Sequence, residues 1–168
     1  MQAAADSLGI GLNQLNLVCG DTDLTADAGK SSASRQAYVS GNAVKMAGED
    51  LRGQILRLAN VGENASIEFG AGTLIVREGD TSREIGLSSL PNTGNGEVLR
   101  GEGYFDPPTE PLDENGQGKP YGTYGFAAQI ADVEVDVDLG TVKVLRIAAA
   151  HDVGQALNPQ QVEGQIHG

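Results

Sequence analysis

The sequence predicts an α+β fold in which one long helix packs on a mixed, mostly antiparallel β-sheet. Apolar residues recur at helical spacing within residues 34–60, which predicts a helix with one buried stripe. Apolar and polar residues alternate in two later regions, 65–86 and 133–144, which predicts half-buried strands. Four prolines fall within 106–120, where we expect an irregular, exposed loop.

The composition excludes several classes of partner. A formal charge of −12 argues against nucleic acid, which is bound through clustered Lys and Arg, and against an anionic membrane surface. The single cysteine, Cys19, cannot form a disulfide or a cysteine-based metal cluster within one chain. Because Cys19 ends the apolar run from Leu15, we expect a buried thiol. Without a leader-like or membrane-spanning pattern, a cytoplasmic protein is expected.

The first third of the chain predicts a short helix, a strand and a loop. Met1–Gly9 contains helix-forming residues and ends on a glycine suited to a C-cap. Gln14–Gly20 is predicted to be a short buried strand that ends in a polar turn. Thr25–Ser34 consists of small and polar residues and is predicted to be a loop.

The long helix is predicted over Ser34–Asn60, with Ser34 as its N-cap. Gly41 and Gly48 are seven residues apart and therefore share a face, where we expect another backbone to pack closely. The predicted core stripe consists of five residues: Val44, Ala47, Leu51, Ile55 and Leu58.

Strands are predicted within Ala65–Gly86, with a hairpin turn at Glu78–Asp80, and again at Glu97–Tyr104 after a turn-rich break at Pro91–Gly96. The clearest hairpin spans Val133–Val144. Its valines alternate with acids on one strand and with Lys143 on the next, so one face should be buried and the other solvated.

The C-terminal segment is predicted to be a helix over Gln160–His167, opened by Asn158-Pro159. His151 and Asp152 are adjacent on a predicted strand, so their side chains point to opposite faces and do not form an acid–base pair. Neither residue is therefore a candidate catalytic group.

The best candidate site is the hydroxyl-rich segment Lys30–Gln36, at the predicted start of the long helix. Free backbone N–H groups and the positive end of the helix dipole favour an anion there, and the small side chains leave room for one. A plain capped helix start accounts for the same residues without a ligand. The residues alone leave both interpretations open.

Three sets of motifs in this chain resemble the molybdenum-binding large subunit of xanthine dehydrogenases and aldehyde oxidases. They occur in family order, and we therefore expect residues 1–168 to form a single partial domain of the family's molybdopterin-binding fold. The motifs are Gly20–Asp23 with Asp27–Gln36 and Ser40–Val44, then Tyr124–Gln129, and finally Ala150–Pro159 with Glu163–Gly168.

This resemblance implies a molybdenum centre held by molybdopterin cytosine dinucleotide. Members of the family hydroxylate aldehydes or N-heterocycles with oxygen from water, and pass electrons to iron–sulfur and FAD domains or subunits. By the resemblance, the cofactor contacts are Ala33, Ser34 and Gln36, together with Gln165. The general base implied by the family lies outside this span, so no catalytic residue and no protein ligand of the metal is assigned here.

Both ends of the chain fall within predicted helices, so we expect a fragment that is inactive alone and needs the rest of the molybdenum subunit. Uncovered apolar faces should then make it self-associate. Two alternatives remain open: a non-catalytic α+β interaction module, and a simple phosphate-binding domain that uses residues 31–36.

Overall fold

The computed structural model describes residues 1–93 and 96–168, and it confirms the α+β class. The described chain forms two compact units, which we call the first unit (Met1–Pro107) and the second unit (Pro108–Gly168). That residues 1–168 make one partial domain stays a prediction. The elements are α1 (Gln2–Leu8), α2 (Gln36–Ala59), β1 (Ser66–Phe69), β2 (Thr73–Glu78), β3 (Thr81–Gly86), β4 (Phe126–Asp136), β5 (Thr141–Asp152) and α3 (Pro159–His167).

The core of the first unit lies between α2 and a three-stranded antiparallel sheet of order β1-β2-β3. The predicted turn joins β2 to β3, and Gly79 has a φ of 55°, which glycine adopts without steric cost. The long helix packed on a sheet is thus confirmed. The core cluster brings together Ile55, Leu56 and Ala59 of α2, Ala65, Ile67 of β1, and Leu74 and Val76 of β2.

The predicted core stripe of α2 is only half right. Ile55 is fully buried, whereas Val44 and Leu58 remain 39% and 44% exposed. Gly48, Ile55 and Ala59 are buried and share one face of the helix, against which α1 and the sheet pack. The predicted stripe has the helical period but lies to one side of this buried face.

Close backbone packing occurs at one of the two predicted glycines. A side chain at Gly48 would lie 2.9 Å from Ser7 Cβ of α1, so the glycine permits this helix contact. Nothing lies within 4 Å of a Cβ added to Gly41, and the prediction there is wrong. At the end of α1, Gly9 takes the left-handed conformation of a C-cap (φ 71°), as predicted.

Arg52 of α2 ties three separate segments of the first unit together. Its guanidinium donates hydrogen bonds to the carbonyl oxygens of Leu8 (2.8 Å), Glu63 (2.9 Å) and Ala65 (2.6 Å). The end of α1 and the approach to β1 are therefore both fixed to one side chain.

The predicted buried strand at Gln14–Gly20 is wrong. Residues 12–14 form one turn of 3-10 helix, and the rest has no regular structure. Leu17 and Val18 are 57% and 53% exposed, and Cys19 is exposed as well, contrary to prediction. Within the described chain, residues 15–20 pair with no strand, so an apolar run that could form a strand has no partner to bury it.

The predicted strand at Glu97–Tyr104 is also wrong. This segment lies against α2 without a strand partner in the part of the chain that is described. Part of the preceding break, Gly94 and Asn95, lies outside the described residues.

The second unit contains a long antiparallel hairpin, β4–β5, followed by α3. Its register confirms the sequence pattern, because Val133 pairs with Val144 and Glu134 with Lys143. The expectation of a buried face is wrong for this chain: every residue of both strands is exposed. Alternation specifies two faces, but nothing in the second unit covers either of them.

The remaining segments of the second unit are irregular. Between residues 108 and 125, all of which are described, the only β-pairing is an isolated antiparallel bridge between Glu110 and Lys119. The helix α3 starts as predicted, with the Asn158 side chain accepting a hydrogen bond from the N–H of Gln161 (3.2 Å). Among the described residues, no helix combines the length and apolar character needed to cross a bilayer.

Candidate functional site

The loop before α2 carries unusual backbone conformations. Ala33 and Ser34 have φ values of 56° and 52°, in the left-handed region. Residues with a Cβ adopt that region at a cost of about 1–2 kcal/mol each. Such strain persists only where surrounding contacts or a ligand impose it, and it is frequent at binding sites.

The N-cap residue of α2 provides no side-chain cap. Ser34 was predicted to be the N-cap, but Arg35 occupies that position with φ −91° and ψ 0°. Arg35 makes no side-chain capping hydrogen bond, because a guanidinium carries donors and no acceptor. The N–H groups of the first turn lack carbonyl partners within the helix, and they point toward the loop end.

Gln36 connects the loop to the helix through its side-chain amide. The amide nitrogen, Nε2, donates to Ser31 Oγ at 2.9 Å, and the amide oxygen accepts a hydrogen bond from the Ser40 hydroxyl. Ser40 was not among the predicted site residues. Its position four residues after Gln36, on the same helix face, is the signal that could have identified it.

The two cationic side chains of the loop are available to bind an anion. Among described residues, neither Lys30 nor Arg35 takes part in an ion pair, and both are exposed. Nearby acids are engaged with their own turns: Asp21 Oδ1 accepts from the N–H of Asp23 (2.9 Å), and Asp27 Oδ1 from that of Gly29 (2.8 Å). Uncapped N–H groups, small side chains and two free cations form a donor set that suits a phosphate-like anion.

Three of the four predicted site residues therefore lie together in the first unit: Ala33 and Ser34 in the loop, and Gln36 as the first residue of α2. The fourth, Gln165, is an exposed residue of α3 in the second unit. His151 and Asp152 follow one another on β5, opposite Ala127 and Phe126, as the strand alternation predicts. No cluster of three or more potential metal-ligating side chains occurs in the described ranges.

A separate open groove of about 580 Å³ lies beside α2. It is lined by Ala47 and residues 100–104, and it contains none of the predicted site residues. The groove is thus distinct from the loop at residues 30–36.

Comparison with known families places the chain in one family. The chain matches the family described as the molybdopterin cofactor-binding domain over residues 1–168. The chain therefore belongs to that family, as the sequence motifs indicated.

The similar proteins include subunits of dehydrogenases and a hydroxylase. The chain is 27% identical to the xanthine dehydrogenase molybdenum-binding subunit of Escherichia coli O157:H7, and 29% identical to the carbon monoxide dehydrogenase large chain of Afipia carboxidovorans. It is 27% identical to the nicotine 6-hydroxylase large subunit of Paenarthrobacter nicotinovorans. Each match covers 99% of this chain but only 22%, 20% and 20% of the respective relative, so the chain spans about a fifth of their length.

Proposed function

We propose that this chain forms part of the cofactor pocket of a molybdopterin-dependent oxidoreductase. The observation that carries the proposal is the family match over 1–168, which includes an uncapped helix start with two cations nearby. The contacting residues are Ala33, Ser34 and Gln36, with Gln165 supplying a further contact from α3.

The residues of the loop fit the anionic part of such a cofactor. Backbone N–H groups of the first turn of α2 donate to phosphate oxygens, and Ser31 and Ser34 supply hydroxyl groups. Gln36 is held by Ser31 and Ser40, so its amide presents a defined donor rather than a freely rotating one. When bound, the cofactor supplies a redox-active molybdenum that takes electrons from the substrate; this chain orients the group and excludes water from one side.

The cytosine dinucleotide form of the cofactor, the substrate class and the partners belong to the same proposal. By the motif resemblance, the whole protein oxidises N-heterocycles or aldehydes, in the cytoplasm, and delivers electrons to iron–sulfur and FAD domains or subunits. The rest of the molybdenum subunit completes the pocket, and the 168-residue chain alone is inactive.

The anion-binding part of the proposal is tested by NMR titration of the ¹⁵N-labelled chain with CDP and with inorganic pyrophosphate. We expect saturable shifts at the amides of Ala33, Ser34 and Gln36. Gln36→Glu places a negative charge in the loop and should abolish them. Gln117→Glu makes the same charge change in the second unit and should leave binding intact. Equal effects of the two variants, or no shift in the loop, would refute the assignment.

The inactivity of the chain alone is tested by metal and pterin analysis of the purified protein, together with dye-linked oxidation of xanthine and of an aldehyde. Stoichiometric molybdenum with turnover would show that the chain needs no further segment. In the full-length parent protein, Gln36→Glu should lower the bound molybdenum relative to Gln117→Glu.

The exposed β4–β5 hairpin favours a second candidate, a non-catalytic interaction module. Its valines and isoleucines are about half exposed or more, as expected of a surface that binds another polypeptide. An absence of pterin and molybdenum from the full-length parent would favour this candidate.

A further inference from the structure

The segment spanning residues 97–107, which we call the strap, lies along the backbone of α2. Gln54 Nε2 donates to the carbonyl of Arg100 at 2.7 Å, and Asp50 Oδ2 accepts from the N–H of Glu102 at 3.1 Å. These two contacts fix one end of the strap near the middle of the helix.

Two glycines allow the strap to approach the helix backbone. A Cβ added to Gly101 would lie 2.8 Å from the backbone nitrogen of Leu51, and one added to Gly103 would clash with the carbonyl of Ala43. No side chain fits at either position without moving the strap away from α2. At these two glycines the strap is therefore seated by close backbone approach, while Leu99 packs against the core of the first unit.

The strap runs toward the N-terminus of α2 and ends against its first turn. Its contacts pass from Gln54 through Ala43 to Tyr38, whose ring packs edge-to-face with Phe105. The ring centroids are 5.3 Å apart at 84°, and both residues are partly buried. The preceding aromatic residue, Tyr104, is 80% exposed.

We infer that Phe105 is a positioning residue for the loop at residues 31–36. The N-cap residue Arg35 provides no side-chain cap for the first turn of α2, and helix ends are prone to fraying. The Phe105 ring packs against Tyr38 and so restrains that turn. Gln36 lies in the same turn and donates a hydrogen bond to Ser31 Oγ, so an ordered turn also restrains Ser31. This inference rests on the proposed function only where it concerns ligand binding; the ordering of the turn stands by itself.

The test measures hydrogen exchange in three matched variants without ligand. Phe105→Leu should speed exchange of the Val39 and Ser40 amides about 2- to 10-fold, the range set by an aromatic pair. Tyr104→Leu, which removes an exposed ring from the adjacent residue, should not change it. Phe105→Tyr keeps the ring and should restore protection.

Exchange at the other end of α2 separates positioning from general stability. Amides of Leu56 and Ala59, in the core, should keep their wild-type rates in Phe105→Leu. If they accelerate equally, Phe105 is merely structural and the inference is overturned. As a further check, Tyr38→Leu combined with Phe105→Leu should exchange no faster than either single variant, because both changes remove one contact.

Pyrophosphate and CDP titration forms the second arm. We expect Phe105→Leu to weaken probe binding about 2- to 10-fold, in parallel with the exchange rates, and Phe105→Tyr to recover it. Faster exchange with no probe binding in the wild-type chain refutes the proposed function and leaves the ordering role intact. Wild-type binding that is unaffected by Phe105→Leu refutes the link between the strap and the ligand.

Discussion

The two units carry the same kind of strand pattern but differ completely in burial. Among the described residues, all nine buried hydrophobic ones lie in the first unit, and none of the second unit is buried. In the first unit, α2 covers β1–β3; in the second, β4 and β5 pair over eleven positions with both faces exposed. The difference shows that alternation sets pairing and register, whereas burial requires a separate covering element.

Physical chemistry explains why the hairpin has a defined register without a core. Cross-strand pairs such as Val135 with Val142 each contribute roughly 0.2–1 kcal/mol, enough to select one register. A two-stranded sheet nevertheless is marginally stable in water without a third strand or a helix against it. We therefore expect the first unit to be the more stable of the two.

The largest expected effect comes from a matched pair of core and hairpin substitutions. Leu74→Ala leaves a cavity in the first unit and should lower its free energy of unfolding by about 2–5 kcal/mol. Val144→Ala, at a residue 55% exposed, should cost less than about 1 kcal/mol. Urea denaturation followed by circular dichroism measures both. Equal losses would mean that the hairpin is covered in solution, for example by self-association.

Removing the three hydrogen bonds of the Arg52 guanidinium should have the next largest effect. Arg52→Met deletes three hydrogen bonds to carbonyls that join α1 and β1 to α2, at an expected cost of about 1.5–3 kcal/mol. The control is Arg57→Met, an exposed residue in the last turn of the same helix, expected to cost less than about 1 kcal/mol. Thermal unfolding distinguishes them. If Arg57→Met proves the more damaging, Arg52 is not the link between these segments.

Displacing the strap should cost less. Gly103→Ala forces a methyl group against the α2 backbone, and we expect a loss of roughly 1–3 kcal/mol, limited by how far the strap can move. Gly41→Ala, within α2 itself and facing open space, should instead stabilise by about 1 kcal/mol. Opposite signs in denaturant titrations are the expected result, and a neutral Gly103→Ala would contradict the close approach.

The smallest effect concerns strain in the candidate loop. Ala33→Gly relieves a left-handed residue, worth about 1–2 kcal/mol, but adds freedom to the unfolded chain worth about 0.4–1 kcal/mol. The net expectation is a gain of about 0.5 kcal/mol. Ala37→Gly, within the first turns of α2, should lose about 0.5–1 kcal/mol. A loss from Ala33→Gly would show that the loop is not strained.

The long helix and the strands were largely predictable, because their signals are local. The periodicity of 34–60 and the turn at Glu78–Asp80 each depend on residues close in sequence, and the structure confirms both. The predicted strands at Gln14–Gly20 and Glu97–Tyr104 failed because local preference cannot supply a neighbouring strand. For the candidate site, the motif located the loop, but Ser34 is not the cap and neither Ser40 nor Phe105 was predicted.

By itself, the sequence determined the α+β class, the register of the β4–β5 hairpin and membership of the molybdopterin cofactor-binding family. The class and the register follow from the local spacing of apolar and polar side chains. The family membership follows from motifs matched in order along the chain. The tertiary structure alone decided which face of α2 is buried, how the strap reaches Tyr38, and the left-handed turn at Ala33 and Ser34. Burial and the path of the strap depend on groups distant in sequence, and those contacts exist only once the chain has folded. The left-handed turn escapes prediction because Ala and Ser rarely adopt that conformation.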